Sequence, residues 1–289
     1  MNNTISRRRF LKGAALLPIL AGGTGAFGQE TTPRSPVKGN IRQAVCYGPF
    51  RSMPLDVVAK AFLEMGVLGL DLVNPEEWEA VQKTGLIVTL SRAPAVRMGD
   101  GFNHVENHDY LLKAYNDLIP QAGKAGIKQI ICFSGNRKGK SDDEGIQNCI
   151  TGLKKVVPIA EKHGVTLTME LLNPFGHQDY HADRTAFGAA VARGVGSEHF
   201  KLLYDIYHMQ LSEGNLIDTI RKNADVIGHY HTAGAPGRKD LDEEQEIYYP
   251  AVMRAIVATG FKGFVAHEFG PKKADKFESI RDAVKVCDV

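Results

Sequence analysis

The chain has 289 residues, 43% of them hydrophobic and 24% charged, with a formal net charge of +2. That is soluble, globular composition with ample material for a core. Its four cysteines (Cys46, Cys132, Cys149 and Cys287) exclude a disulfide framework and a metal finger, because they are too few for the first and wrongly spaced for the second.

The first 28 residues read differently from the rest. Ser6-Arg7-Arg8-Arg9-Phe10-Leu11-Lys12 precedes a weakly apolar run from Gly13 to Phe27, and Ala26-Phe27-Gly28 offers small residues for cleavage. A positive start, a short apolar stretch and a small-residue cleavage site make a signal peptide rather than a membrane span. The paired arginines before Phe-Leu-Lys resemble a twin-arginine translocation signal, with an ordinary secretory signal as the alternative. No cysteine follows the cleavage site, so no stable membrane anchor is expected, and the location implied is periplasmic. Removing residues 1–28 takes Arg7, Arg8, Arg9 and Lys12 and no acid, which moves the formal charge from +2 to −2. Such a protein has no electrostatic reason to seek nucleic acid.

Residues 29–40 form a polar, Pro-containing leader, and 41–289 a single catalytic domain. From there, short apolar runs alternate with longer amphipathic stretches. The pattern predicts strands near 42–47, 67–73, 86–91, 128–133, 165–170, 201–205, 226–231 and 262–268. Helices are predicted over 54–65, 75–83, 108–125, 143–163, 181–194, 212–224, 250–259 and 274–286. Strand–helix alternation implies a parallel sheet covered by helices, and eight repeats favour a closed (β/α)8 TIM barrel over an open sheet. Gly66, Gly85, Gly126, Gly164 and Gly260 each stand between a helix and the next strand, where a helix-stop glycine belongs. The first strand ends Cys46-Tyr47-Gly48-Pro49-Phe50, without the glycine turn of a dinucleotide fold.

A barrel carries its chemistry at the C-terminal ends of its strands. The last four strands end in Glu170, Asp205, His231 and Glu268, separated by 35, 26 and 37 residues, each about one strand–helix unit. A lone acid at a strand end is commonly a helix cap or a solvated loop residue. Four in succession form a ligand set: three carboxylates and an imidazole suit one divalent ion (Mn, Mg, Co or Zn) and leave positions open for a substrate with adjacent oxygens. Glu170 and Glu268 can then also serve as base or proton shuttle. His208, in the loop just beyond Asp205, and Arg238, seven residues past His231, suit a substrate hydroxyl or carboxylate. His267 precedes Glu268 and faces away from the site by strand alternation. Asn107 reads as the cap of the helix that begins at His108, and the long loop 92–107 as a lid. Trp78 reads as a packing residue.

At these residues the chain resembles the hydroxypyruvate isomerase family of the xylose-isomerase-like barrels. The resemblance rests on Gly69-Leu70-Asp71-Leu72-Val73-Asn74-Pro75-Glu76, Glu106-Asn107-His108-Asp109-Tyr110-Leu111, Met169-Glu170-Leu171-Leu172-Asn173, Tyr204-Asp205-Ile206-Tyr207-His208-Met209-Gln210, Pro236-Gly237-Arg238 and His267-Glu268-Phe269. It runs from about residue 42 to 286. It implies metal ligation through Glu170, Asp205, His231 and Glu268, with the two glutamates as the proton-transfer pair. Hydroxypyruvate-acting members often carry Gln where this chain has His231, whereas the related ketose 3-epimerases use His. The family's Gly-Glu-Ile-Asn-Tyr segment is here Gln245-Glu246-Ile247-Tyr248-Tyr249, and the family is usually cytoplasmic.

The function expected is therefore a metal-dependent isomerase of a small hydroxy-carbonyl substrate, acting through an enediolate. A ketose 3-epimerase is the close alternative. An abasic-site endonuclease-like phosphodiesterase and a non-catalytic sugar-binding barrel are distant ones. Oligomeric state, a homo-oligomer included, is left open.

Overall fold

Apolar runs too short for helices pair as strands here because each is covered on its outer side by the amphipathic helix that follows it. The computed structural model describes residues 37–289. The expected signal peptide, with Arg7 and Arg8, and most of the leader lie outside the described residues. The strands are β1 (Arg42–Cys46), β2 (Gly69–Val73), β3 (Ile87–Ser91), β4 (Gln129–Cys132), β5 (Thr166–Glu170), β6 (Phe200–Asp205), β7 (Ile227–Thr232) and β8 (Phe264–His267). They are parallel neighbours in sequence order, and β1 closes on β8. The expected barrel forms.

The covering helices are α1 (Leu55–Glu64), α2 (Trp78–Lys83), α3 (His108–Lys124), α4 (Asp142–His163), α5 (Thr185–Val195), α6 (Ile206–Ser212), α7 (Leu216–Lys222), α8 (Tyr249–Ala258) and α9 (Lys276–Cys287). Helix α4 shows how the local sequence sets its ends. Ser141 Oγ accepts a hydrogen bond from the Glu144 amide at 3.2 Å, acids fill the first turn, and Gly164 closes the helix at φ 63°. The other four expected helix-stop glycines also have positive φ.

Two buried apolar layers result. The larger lies between sheet and helices. The smaller (Ala44, Cys46, Leu72, Leu90, Ile131, Leu203, Phe264 and Ala266) fills the barrel interior. Trp78 is buried in the outer layer and donates from Nε1 to Ser91 Oγ at 3.0 Å, as a packing residue should.

Three sequence readings need correction. The expected helix 212–224 is the shorter α7, and a further helix, α6, precedes it, the two parted at Glu213–Asn215, where Gly214 and Asn215 take positive φ. His208 therefore stands on α6 and not in a loop. Helix α5 begins at Thr185 rather than 181, leaving a longer loop after β5. Asn107 makes no capping bond: a short 3-10 turn, Val105–Asn107, precedes α3, and the Asn107 side-chain amide donates to Gly101 O instead.

Candidate metal centre and its cavity

The four strand-end residues meet. Glu170 is the last residue of β5, Asp205 the last of β6, His231 the penultimate residue of β7, and Glu268 follows directly on β8. The β6–β7 register sets Asp205 beside His231, so their side chains leave the sheet on the same face. Each of the four offers a ligand atom, and these atoms all lie within 4.8 Å of one another. His231 Nδ1 is 2.6 Å from Glu268 Oε2, 3.7 Å from Glu170 Oε1 and 4.0 Å from Asp205 Oδ2.

Beneath them is a residue that the strand-end reading passed over. Asp71, fully buried on β2, accepts hydrogen bonds through Oδ2 from Nε2 of His231 (2.8 Å) and of His229 (3.2 Å), while the Thr89 hydroxyl donates to its Oδ1. Burial alone would push its carboxyl up, but the His229 and His231 imidazoles outweigh that and hold it well below the usual range. An ionised acceptor on Nε2 fixes a proton there and turns Nδ1 of His231 toward the other three ligands. The available signal was an acid inside the otherwise apolar run Gly69-Leu70-Asp71-Leu72-Val73; an unpaired carboxylate is not left in such a place.

The two glutamates differ. Burial, reinforced by the neighbouring Glu268 and Asp205 charges, raises the Glu170 carboxyl toward neutrality. For Glu268 the His231 imidazole and the Arg238 guanidinium overcome burial and keep it ionised. Arg238 Nη2 sits 2.8 Å from Glu268 Oε2 and 3.2 Å from Asp205 Oδ2. Its backbone is left-handed (φ 55°), a conformation that L-residues adopt only when their surroundings impose it. Arg238, read from the sequence as a substrate residue, lines the cavity and is also paired with two members of the ligand set.

His208 is buried beside Asp205, which also caps α6 by accepting from the His208 amide at 3.0 Å. Its Nδ1 accepts from the Asn173 backbone amide (3.1 Å) and side-chain amide (2.6 Å), so the proton is on Nε2. That Nε2 lies 3.6 Å from Asp205 Oδ2 and has no hydrogen-bond partner among the described residues. Burial pushes the imidazole down to about 4, leaving a neutral donor beside the cluster. His267 is out of the site, as expected: its Nδ1 accepts from Thr232 Oγ1 and its Nε2 donates to Gln43 Oε1.

A cavity of about 440 Å³ opens on Glu170 and Glu268. Residues Ala93, Pro94, Val96 and Met98 of the expected lid form one apolar wall, with Leu72 and Phe133 beside them. His177, from the loop after β5, also reaches it. The donor set fits a divalent cation. It is oxygen-rich with one imidazole, its carboxylates outnumber the cationic groups around it, and the histidine carries a carboxylate on its far nitrogen.

Residues 70–287 match the family model of the xylose isomerase-like TIM barrel. A putative hydroxypyruvate isomerase of Drosophila melanogaster is 25% identical over 198 residues, 67% of this chain and 75% of the relative. The hydroxypyruvate isomerase of Escherichia coli K12 is 30% identical over 155 residues, 53% of this chain and 60% of the relative. Among solved structures, a family 2 AP endonuclease from Brucella melitensis superposes with a TM-score of 0.73 at 18% identity, covering 82% of this chain and 95% of its own. The 3-keto-D-glucoside 4-epimerase of E. coli gives 0.69 at 20% identity, covering 85% and 98%. At such identities the structural likeness speaks for the fold alone.

Proposed function

The chain belongs to the xylose isomerase-like TIM-barrel family, with hydroxypyruvate isomerases as relatives, and on that premise we propose that it is an isomerase moving a proton on a small hydroxy-carbonyl substrate. The observation that carries this is the meeting of two glutamates with Asp205 and His231 in one buried cluster at the floor of a cavity. Glu170, Asp205, His231 and Glu268 would hold a divalent ion. When bound, it would polarise the substrate carbonyl and acidify the adjacent C–H.

The chain's own groups divide the remaining work. Glu170, whose buried carboxyl is raised, is suited both to accept and to return a proton. Glu268 is kept ionised by Arg238 and His231 and faces the same space as the second carboxylate. His208 presents its unpartnered Nε2–H to a substrate oxygen. Ala93, Pro94, Val96 and Met98 would shield one side of the enediolate that proton removal leaves.

Returning the proton to the neighbouring carbon gives isomerisation; returning it to the other face of the same carbon gives epimerisation. His231 favours keeping a ketose 3-epimerase as the second reading, since the hydroxypyruvate isomerases that the chain resembles often carry Gln there. The deciding experiment incubates the Mn-loaded protein with hydroxypyruvate and a panel of ketoses in D2O and follows products by NMR. Deuterium in an isomerised keto acid supports the first reading and in a C3-epimerised ketose the second. Turnover of none would overturn both. We propose further that the protein reaches the periplasm by the twin-arginine route.

A further inference from the structure

Cys46 is the last residue of β1, and the register of its strand sets an acid on either side of it. It pairs with Asp71 on β2, and the pairing of Val45 with His267 on β8 brings Cys46 level with Glu268. Its side chain packs in the barrel interior, where Sγ lies 3.9 Å from Asp71 Oδ2. Sγ and one ligand atom each of His231 and Glu268 all fall within 4.8 Å of one another. Cys46, Glu268 and Arg238 also line a cavity of about 250 Å³, which shares Leu72, Arg238 and Glu268 with the larger one.

A buried cysteine is ordinarily a small apolar packing residue. Cys132, Cys149 and Cys287 fit that description: all three lie in the outer apolar layer, and none belongs to a group of metal-ligating side chains among the described residues. Cys46 differs on both counts, since it lies in the inner layer and beside an imidazole and a carboxylate. Burial, reinforced by the Glu268 and Asp71 charges, pushes its thiol up. A hard ion such as Mn²⁺ or Mg²⁺ has little affinity for sulfur and leaves such a thiol protonated. A thiophilic ion displaces the proton and binds the thiolate.

We propose that Cys46, His231 and Glu268 form a second, overlapping binding position for a thiophilic divalent ion of the Zn²⁺ or Cd²⁺ class, offset from the set that includes Glu170 and Asp205. A tetrahedral Zn²⁺ with bonds of about 2.3 Å to sulfur and about 2.0–2.2 Å to nitrogen and oxygen sets those atoms about 3.4–3.6 Å apart. Small side-chain rotations bring the three residues to that spacing. The thiol proton leaves to solvent, and the remaining coordination position faces the adjoining cavity. Because His231 and Glu268 belong to both sets, the two ions exclude each other. A thiophilic ion takes two ligands from Mn²⁺ and leaves Glu170 and Asp205 unused, so it acts as an inhibitor at the centre. This inference rests on reading the four-residue cluster as a metal centre.

The test titrates the ion-free protein with Co²⁺, whose bond to a thiolate adds an intense charge-transfer band in the near ultraviolet, and with Cd²⁺ and Mn²⁺ by calorimetry. Wild type, Cys46→Ser, Cys46→Ala and Cys132→Ser are compared. The band is expected in wild type and Cys132→Ser and in neither Cys46 variant. Both Cys46 variants should bind Cd²⁺ about tenfold or more weakly, with Mn²⁺ affinity at the wild-type value. In wild type, Cd²⁺ should release bound Mn²⁺ one for one. A wild type without the band, a band that persists in the Cys46 variants, or Cd²⁺ bound beside Mn²⁺ without displacing it overturns the proposal. The wild-type spectrum and the displacement decide the matter even if a substitution at Cys46 unfolds the protein. Failure of the functional reading is seen separately, as a protein that binds no Mn²⁺ and exchanges no deuterium whatever stands at position 46.

Discussion

Asp71 on the second strand and His231 on the seventh are joined by a 2.8 Å hydrogen bond across the barrel interior, though 160 residues separate them in the chain. The bond leaves His231 Nδ1 free to face Glu170, Asp205 and Glu268. Asp71→Asn keeps the shape but removes the charge that fixes the proton on Nε2. Loss of such a partner typically weakens metal affinity by about 10–100-fold. We expect a loss of that size in a Mn²⁺ titration, together with a changed His231 tautomer in nitrogen-15 NMR spectra. Unchanged affinity would reduce Asp71 to a packing role.

Glu268→Gln tests the chemistry. The amide retains an oxygen at the cluster but cannot act as a base, and a lost general base costs about 10²–10⁴-fold in rate. The variant should keep its fold by circular dichroism and much of its metal, yet lose deuterium incorporation at the substrate carbon. Exchange at the wild-type rate in the metal-loaded variant would make Glu268 a ligand only.

His231 and His208 should separate in metal content. His231 Nδ1 lies within the ligand cluster, whereas His208 is held by Asn173 through Nδ1 and its Nε2, 3.6 Å from Asp205 Oδ2, belongs to none of the ligand groups among the described residues. His231→Ala should lower bound Mn²⁺ by elemental analysis far more than His208→Ala, and the latter should raise KM or lower kcat with metal retained. Equal metal loss in both would refute the assignment.

His267 should make the fold acid-sensitive. Burial pushes its imidazole down to about 3, whereas the unfolded chain titrates near the ordinary value of about 6.5. Below about pH 6.5 the unfolded chain therefore binds a proton that the folded protein refuses, and stability falls as pH drops toward 3. Between pH 6.5 and 4.5 this one group is worth about 2–3 kcal/mol. Urea unfolding across that range should show a shallower pH slope for His267→Gln than for wild type, whatever the variant's stability at pH 7. Parallel slopes would count against the assignment.

Export is tested in the first residues. Lysine cannot mimic the paired guanidinium groups of Arg7 and Arg8, so replacing both with Lys should leave the protein in the cytoplasm. An undiminished periplasmic yield on fractionation would point to an ordinary secretory signal.

What the sequence determined by itself was everything governed by local periodicity and by the topology that periodicity implies. Alternating apolar runs and amphipathic stretches imply a parallel sheet, eight repeats of them favour a closed barrel, and a barrel brings its strand ends to one mouth. That is why Glu170, Asp205, His231 and Glu268 could be named from spacing alone. Tertiary structure decided whatever depends on which side chains meet across the barrel. Asp71 sits in a run that reads as plain strand; its purpose exists only because β2 faces β7 through the interior. Arg238 could be named as a substrate residue from the sequence, but its pairing with Glu268 and Asp205 exists only once the barrel closes. The break between α6 and α7 and the helical position of His208 were likewise hidden, because Asp205 caps a helix only once its strand has ended beside His231. Local propensity acts over one or two turns of chain, while ion pairs between distant strands are set by closure of the sheet, which no window of the sequence contains.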